Sequence, residues 1–261
     1  MKNKIQPMQI ILGAVLAVLV LGSIAMLGQQ GQSAAESAPP KSASAQQAGG
    51  EKSAAGTTSV APSAKQQPTE RSDQERALLA LPRRKADDPA ALGAVDAPVV
   101  ITEWADFRCP FCSAFSEQTL PKLRSFIDSG QVRFEFRDFA VFGDDSVFAA
   151  AAARAAGRQG KQFEFMETLF IALPNSGHPP VSRDLALQVA QQVGVADLDL
   201  FAADIDGEEL KAAVQAETVE AQQIGIQSVP AFVVGGQYIS GAQPAEVFVQ
   251  VIQEELAKAG R

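Results

Sequence analysis

Cys109 and Cys112 are the only two cysteines in the chain, and only Pro110 and Phe111 stand between them. Thiols at that spacing can close a small disulfide ring. Proline immediately after Cys109 marks the first position of a helix, so Cys109 falls where backbone N–H groups point outward and the helix dipole is positive. That position favours thiolate over thiol, and thiolate is the attacking species in disulfide exchange. Stabilising the thiolate also stabilises the reduced pair and makes the disulfide a stronger oxidant. The expected roles follow: Cys109 is the nucleophile, and Cys112, one turn further in, resolves the mixed disulfide.

Other chemistries fit less well. A structural zinc site takes four ligands, and the chain offers these two cysteines and one histidine, His178. A ring this small removes little chain entropy, so a purely structural bridge has little to contribute. No metal and no cofactor is expected. A net charge of −8 and a pI near 4.8 leave no electrostatic footprint for nucleic acid.

The elements that position the pair are legible from pattern. Val99–Trp104 is apolar and β-branched and reads as a buried strand. The helix opened by Cys109-Pro110 runs to about Asp128, kinked by Pro121 and closed by Gly130. Val132–Arg137 alternates and reads as a second strand. From Ser146 to about Gly225 the pattern is helical: an Ala-rich stretch over 148–156, Phe163–Leu173, a Ser182-capped helix to Val193, a short one over Leu198–Phe201, and a longer one from Glu208 to Ile224. Ala231–Val234 and Gln237–Ile239 flank Gly235-Gly236, a hairpin signal. Gln243-Pro244 opens a last helix to about Lys258. The reading is an α/β thioredoxin fold with a helical insertion over about 146–205, in one domain spanning 76–261.

Ahead of that domain the composition changes. Met1–Lys4 carries two lysines, and Ile10–Leu27 is an uncharged run of 18 residues, about 27 Å as a helix and close to the hydrocarbon thickness of a bilayer. Residues 1–28 are expected to form a single-pass membrane anchor, with the positive end inside and the domain outside the cytoplasm. A cleaved signal peptide is the competing reading, but its apolar region is usually shorter. Residues 29–75 are rich in Ser, Ala, Gln, Gly and Pro and lack aromatics, which suits a disordered linker. A short helix is expected over 73–81, before Pro82.

Asp96-Ala97-Pro98-Val99, Glu103, Cys109-Pro110-Phe111-Cys112 and Ser228-Val229-Pro230-Ala231-Phe232 together resemble the DsbA-like thioredoxin family, in its membrane-anchored bacterial form, over about 87–260. The resemblance implies that Val229-Pro230 is a cis-proline loop facing the cysteines. Base rates for proline alone favour trans. It further implies that Val229, Pro230, Pro110 and Phe111 contact an extended substrate, that the insertion helps form the substrate surface, and that Glu103 is a buried acid able to relay the proton of Cys112. A strand-end glutamate facing water is the alternative for Glu103. Partners implied are thiol-containing secreted or unfolded proteins and a quinone-linked membrane reoxidase. One departure stands out: many members carry histidine where this chain has Phe111, which supplies no charge to the thiolate.

The activity expected is therefore introduction of disulfides into secreted proteins. A reductase or isomerase keeps the chemistry and reverses the flow. A non-enzymatic binding module on the same fold is a third reading, and retention of both cysteines argues against it. Trp104 and the Phe163/Phe165/Phe170 group read as core, Asp144-Asp145 as a helix start, and His178 as an exposed loop residue.

Overall fold

A sheet of five strands carries the site. The structure, a computed structural model, describes residues 71–260. The expected anchor over 1–28 and the linker as far as residue 70 lie outside those residues. Among the described residues no helix is long and apolar enough to cross a membrane.

The described chain opens with α1 (Asp73–Leu79), whose N-cap Ser72 accepts a hydrogen bond from the Glu75 amide. The helix therefore straddles the expected linker boundary at 75/76. Strand β1 (Ala91–Leu92) and strand β2 (Val99–Ala105) follow, then α2 (Pro110–Ala114). Where one kinked helix was expected, the chain makes α2, a π-helical turn over Phe115–Thr119 and α3 (Leu120–Asp128). Pro121 explains the break: it lacks an N–H, and in an unbroken α-helix its ring would meet the carbonyl of Glu117. The wider turn absorbs both faults and leaves Pro121 in the first turn of α3, where proline is tolerated.

Strand β3 (Val132–Asp138) leads into α4 (Asp144–Gly157), α5 (Gln162–Ala172), α6 (Arg183–Gln192), α7 (Leu198–Asp206) and α8 (Glu209–Gln223). Alanines fill α4 from 149 to 153, and with Ala155 and Ala156 all are buried. Small side chains and strong helix propensity let α5, α7 and α8 close around it. Ser182 caps α6 as expected. Helix α7 outruns its expected end at Phe201, because Phe201 and Ile205, one turn apart, are both fully buried and hold the extra turn down.

Strands β4 (Ala231–Val234) and β5 (Gln237–Ser240) make the expected hairpin, and α9 (Ala245–Lys258) ends the domain. Gly235 sits at φ 56°, the left-handed geometry that a two-residue turn of this kind requires. A Cβ there would lie 2.5 Å from the Glu255 carboxylate. The sheet order is β1-β3-β2-β4-β5, with β2 and β3 parallel and the other pairs antiparallel.

The alternation of side chains in β3 sorts the two faces of the sheet. Val132, Phe134 and Phe136 point into the main core, with Val99, Ile101 and Ala105 of β2 and Phe115, Phe232 and Phe248. Arg133, Glu135 and Arg137 point to the other face, yet they too are buried. A strap over residues 81–85 covers them. The Arg83 and Arg84 amides each donate to the Glu135 carboxylate at 2.8 Å. Arg133 donates from Nε to Glu135 at 2.8 Å and from Nη2 to the Lys85 carbonyl at 2.5 Å. Arg137 reaches Glu135 at 3.3 Å and the Leu81 carbonyl at 3.2 Å. Glu217 of α8 completes the cluster, pairing with Arg83 and Arg154.

Candidate active site

Strand β2 delivers the site. It runs out at Ala105, the chain turns through Asp106–Arg108, and α2 starts with Cys109 as its N-cap and Pro110 as its first residue. The N-cap has no side-chain cap of the usual kind. The Cys112 and Ser113 amides donate to the Cys109 carbonyl at 3.1 Å, and the nearby Phe111 and Cys112 amides favour a Cys109 thiolate. Both cysteines are free thiols in this structure.

Their environments push the two thiols apart. Cys109 is lowered from the usual thiol range to about 7. The main cause is a hydrogen bond from the Cys112 thiol. Burial works against the shift, the two amides work with it, and the charge of Asp106 opposes it. Cys112 is completely buried and is pushed well up, first by burial, then by its bond to Cys109 and by the charges of Cys109 and Glu103. One thiol is therefore poised to ionise near neutral pH while its partner holds its proton.

Glu103 lies on the same face of β2 as Ile101 and Ala105, the face that the redox helix packs on. It is buried, so the water-facing alternative does not hold. Burial raises its carboxyl well above the usual carboxylate range, and the neighbouring Cys109 charge raises it further. A protonated carboxyl beneath two thiols can donate a proton to the more buried one.

The Val229–Pro230 peptide bond is cis. The Cys109 thiol donates to the Val229 carbonyl at 3.6 Å, so this loop faces the first cysteine. Phe111 is 64 % exposed, a large apolar side chain standing beside the thiol. Cys109, Pro110, Phe111 and Val229 all line one cleft of about 460 Å³.

Four further residues shape that cleft, and pattern reading did not single them out for the site. Asp106, fully buried, accepts hydrogen bonds from the amides of Arg108, Val141 and Phe142. Arg108 directs its guanidinium at carbonyls of the same surroundings. Phe142 and His178 stack over the cleft, ring centroids 3.6 Å apart. His178 is exposed, as expected of a loop residue, but it belongs to the rim of the site. Its signal is absent from the sequence because it lies about seventy positions from the cysteines and only folding of the insertion brings it there. No group of metal-ligating side chains occurs among the described residues.

Comparison with known proteins shows the family and the fold. A model of the thioredoxin family matches residues 85–254. The "Probable disulfide bond formation protein D" of Bacillus cereus is 30 % identical over 150 residues, covering 56 % of this chain and 69 % of the relative. The "Disulfide bond formation protein D" of Bacillus subtilis is 27 % identical over 168 residues, covering 63 % and 76 %. The crystal structure of oxidised BdbD from Bacillus subtilis superposes with a TM-score of 0.62 at 26 % identity, covering 66 % of this chain and 95 % of that one.

Proposed function

The chain belongs to the DsbA-like family of thioredoxin-fold thiol–disulfide oxidoreductases, and from that premise we propose that it is an oxidase, donating a disulfide held between Cys109 and Cys112 to thiols of secreted or unfolded proteins outside the cytoplasm. The observation that carries this direction of flow is the likeness to relatives named for disulfide bond formation. The split between the two thiols supplies the exchange chemistry in either direction, with Cys109 attacking or leaving as a thiolate near neutral pH.

The cycle balances without a cofactor. A client thiolate attacks the Cys109 sulfur of the oxidised pair. The client–Cys109 bond forms, the Cys109–Cys112 bond breaks, and Cys112 leaves as a thiolate that takes a proton. A second client thiolate then attacks the client sulfur of the mixed disulfide, and Cys109 leaves as a stabilised thiolate. Two client thiols have lost two electrons and the pair has gained them. Reoxidation passes those two electrons, with two protons released, from the pair to a quinone-linked membrane reoxidase, a partner that family membership implies. The uncharged run over Ile10–Leu27 and the low-complexity stretch that follows support a single-pass anchor over 1–28 and a linker over 29–75.

Glu103 is the proposed source of the Cys112 proton. Glu103→Gln keeps the volume and loses the proton. Client oxidation should slow by roughly 100-fold, the low end of what a positioned acid contributes. The pH–rate profile should lose the alkaline fall that deprotonation of Glu103 causes. An unchanged rate and profile would mean that water supplies the proton.

A reductase or isomerase is the second reading, favoured by Phe111, which brings no positive charge to the thiolate. The deciding experiment is the reduction potential of the full chain, equilibrated with glutathione mixtures and read by thiol alkylation. The expected value lies nearer DsbA, roughly −120 mV, than thioredoxin, roughly −270 mV. A value at the thioredoxin end removes the oxidase reading and leaves the second.

A further inference from the structure

Arg108 immediately precedes the nucleophile, and its side chain is committed to backbone carbonyls from two distant segments. Nε donates to Pro179 at 2.8 Å, Nη1 to Phe142 at 2.6 Å and Nη2 to His178 at 2.6 Å. Its own backbone is held as well. The Arg108 amide donates to Asp106 at 2.8 Å, and the other oxygen of that carboxylate accepts from the Val141 amide at 2.8 Å. The Arg108 carbonyl lies 3.0 Å from His178 Nδ1. A planar guanidinium with donors in a fixed fork can satisfy three carbonyls at once, which a lysine ammonium on a flexible stem cannot match in geometry.

Two of the three carbonyls so held belong to the residues that form the cleft wall, and the third to Pro179 beside it. Phe142 and His178 stack with ring planes 19° apart. One comes from the turn after β3, the other from the loop between α5 and α6, and Arg108 is the atom-level link between them and the redox helix. The wall controls access, because Cys109 is only 3 % exposed and is open through the cleft it shares with Phe142, His178 and Val229. A client must bring its sulfur past that wall, with the side chain next to its cysteine laid against the rings.

We propose that Arg108 is a positioning residue for client selection: by clamping the Phe142–His178 wall beside Cys109, it fixes a cleft that takes an apolar side chain adjacent to the client's cysteine. This deepens the thiol–disulfide reading above and rests on it. The role is in recognition rather than in the sulfur chemistry, so it predicts a particular kinetic split.

The test uses the full-length enzyme and two dithiol peptides that differ only in the residue following the attacking cysteine, leucine in one and glycine in the other. For the leucine peptide, Arg108→Lys and His178→Ala should each raise KM about ten-fold, the scale on which a hydrophobic pocket discriminates, with kcat changing less than KM. The glycine peptide should respond far less. The double variant should be no worse than the worse single one, because both substitutions dismantle one wall. A merely structural role for Arg108 would lower the active fraction and leave KM where it was. Unchanged KM for the leucine peptide in both variants, equal effects on the two peptides, or additive effects in the double variant would each overturn the proposal. His178 is exposed, and its ring contacts Phe142 and the Arg108 carbonyl, so His178→Ala carries the test if Arg108→Lys does not fold. A wild-type enzyme that oxidises neither peptide would remove the oxidase reading itself, and this inference with it; a wild-type enzyme that works beside indifferent variants removes this inference alone.

Discussion

Cys109→Ser is expected to abolish client oxidation, by more than ~10³-fold, the scale on which loss of a nucleophile costs an enzyme. A serine hydroxyl neither forms the disulfide nor ionises near neutral pH. The substitution should not unfold the domain. Cys109 occupies the N-cap of α2 without a side-chain cap, and serine is among the best residues for that position. The same variant isolates the ionisation of Cys109. In the reduced wild type, alkylation by iodoacetamide should rise with pH through a midpoint of about 7, against roughly 8.5 for an unperturbed cysteine. In Cys109→Ser that step should vanish, since the remaining thiol is buried and pushed up. Stability should follow. A folded value below the unfolded one stabilises the reduced fold above the unfolded cysteine's range, and that stabilisation is lost as pH falls through about 7. Retained turnover in the serine variant would rule Cys109 out as the nucleophile.

Glu135→Ala is expected to cost about 3–5 kcal/mol of folding stability, the usual result of removing one partner from a buried ionic cluster. The side chain is fully buried and meets Arg133, Arg137 and two strap amides. Without it, two buried guanidinium groups and two backbone N–H groups lose their common acceptor. Burial alone would raise the Glu135 carboxyl. The bonds from Arg133 and from the Arg83 and Arg84 amides, with the charge of Arg137, outweigh burial and hold it below its usual range. Its contribution is therefore present above the unfolded carboxylate value of about 4.3 and lost as pH falls through the lower folded value. Urea midpoints should show a wide gap between wild type and variant at neutral pH that closes in acid. A gap under about 1 kcal/mol at neutral pH, the size of an ordinary surface pair, would mean that water satisfies the arginines and that the strap is dispensable.

What was legible in the sequence was what is local in the chain. The pair spacing, the proline after Cys109, the Ser182 cap and the Gly235-Gly236 turn each act within a few residues, and each appears where pattern placed it. The cis bond before Pro230 was not legible in the residues themselves; only the combined motifs pointed to it. Strand β1 is two residues long, below the length at which alternation carries a signal. The alternation in β3 marked a strand but carried no sign that Arg133, Glu135 and Arg137 would be covered, because a strap about fifty positions earlier supplies their partners. The same reason hides the cleft wall. Arg108 can be seen beside the cysteines, but nothing in its neighbours says that Phe142, His178 and Pro179 will offer it their carbonyls.

The outer strands of the sheet have a consequence for life among unfolded chains. An enzyme that handles them meets a constant supply of extended backbone, and every open sheet edge invites it to stick. Here the borders are kept brief, two residues in β1 and four in β5, with α1 packed against β5. A passing chain finds little to zip onto there. On the proposed reading, a client chain is then held by the cleft beside Cys109 rather than by pairing with the border of the sheet.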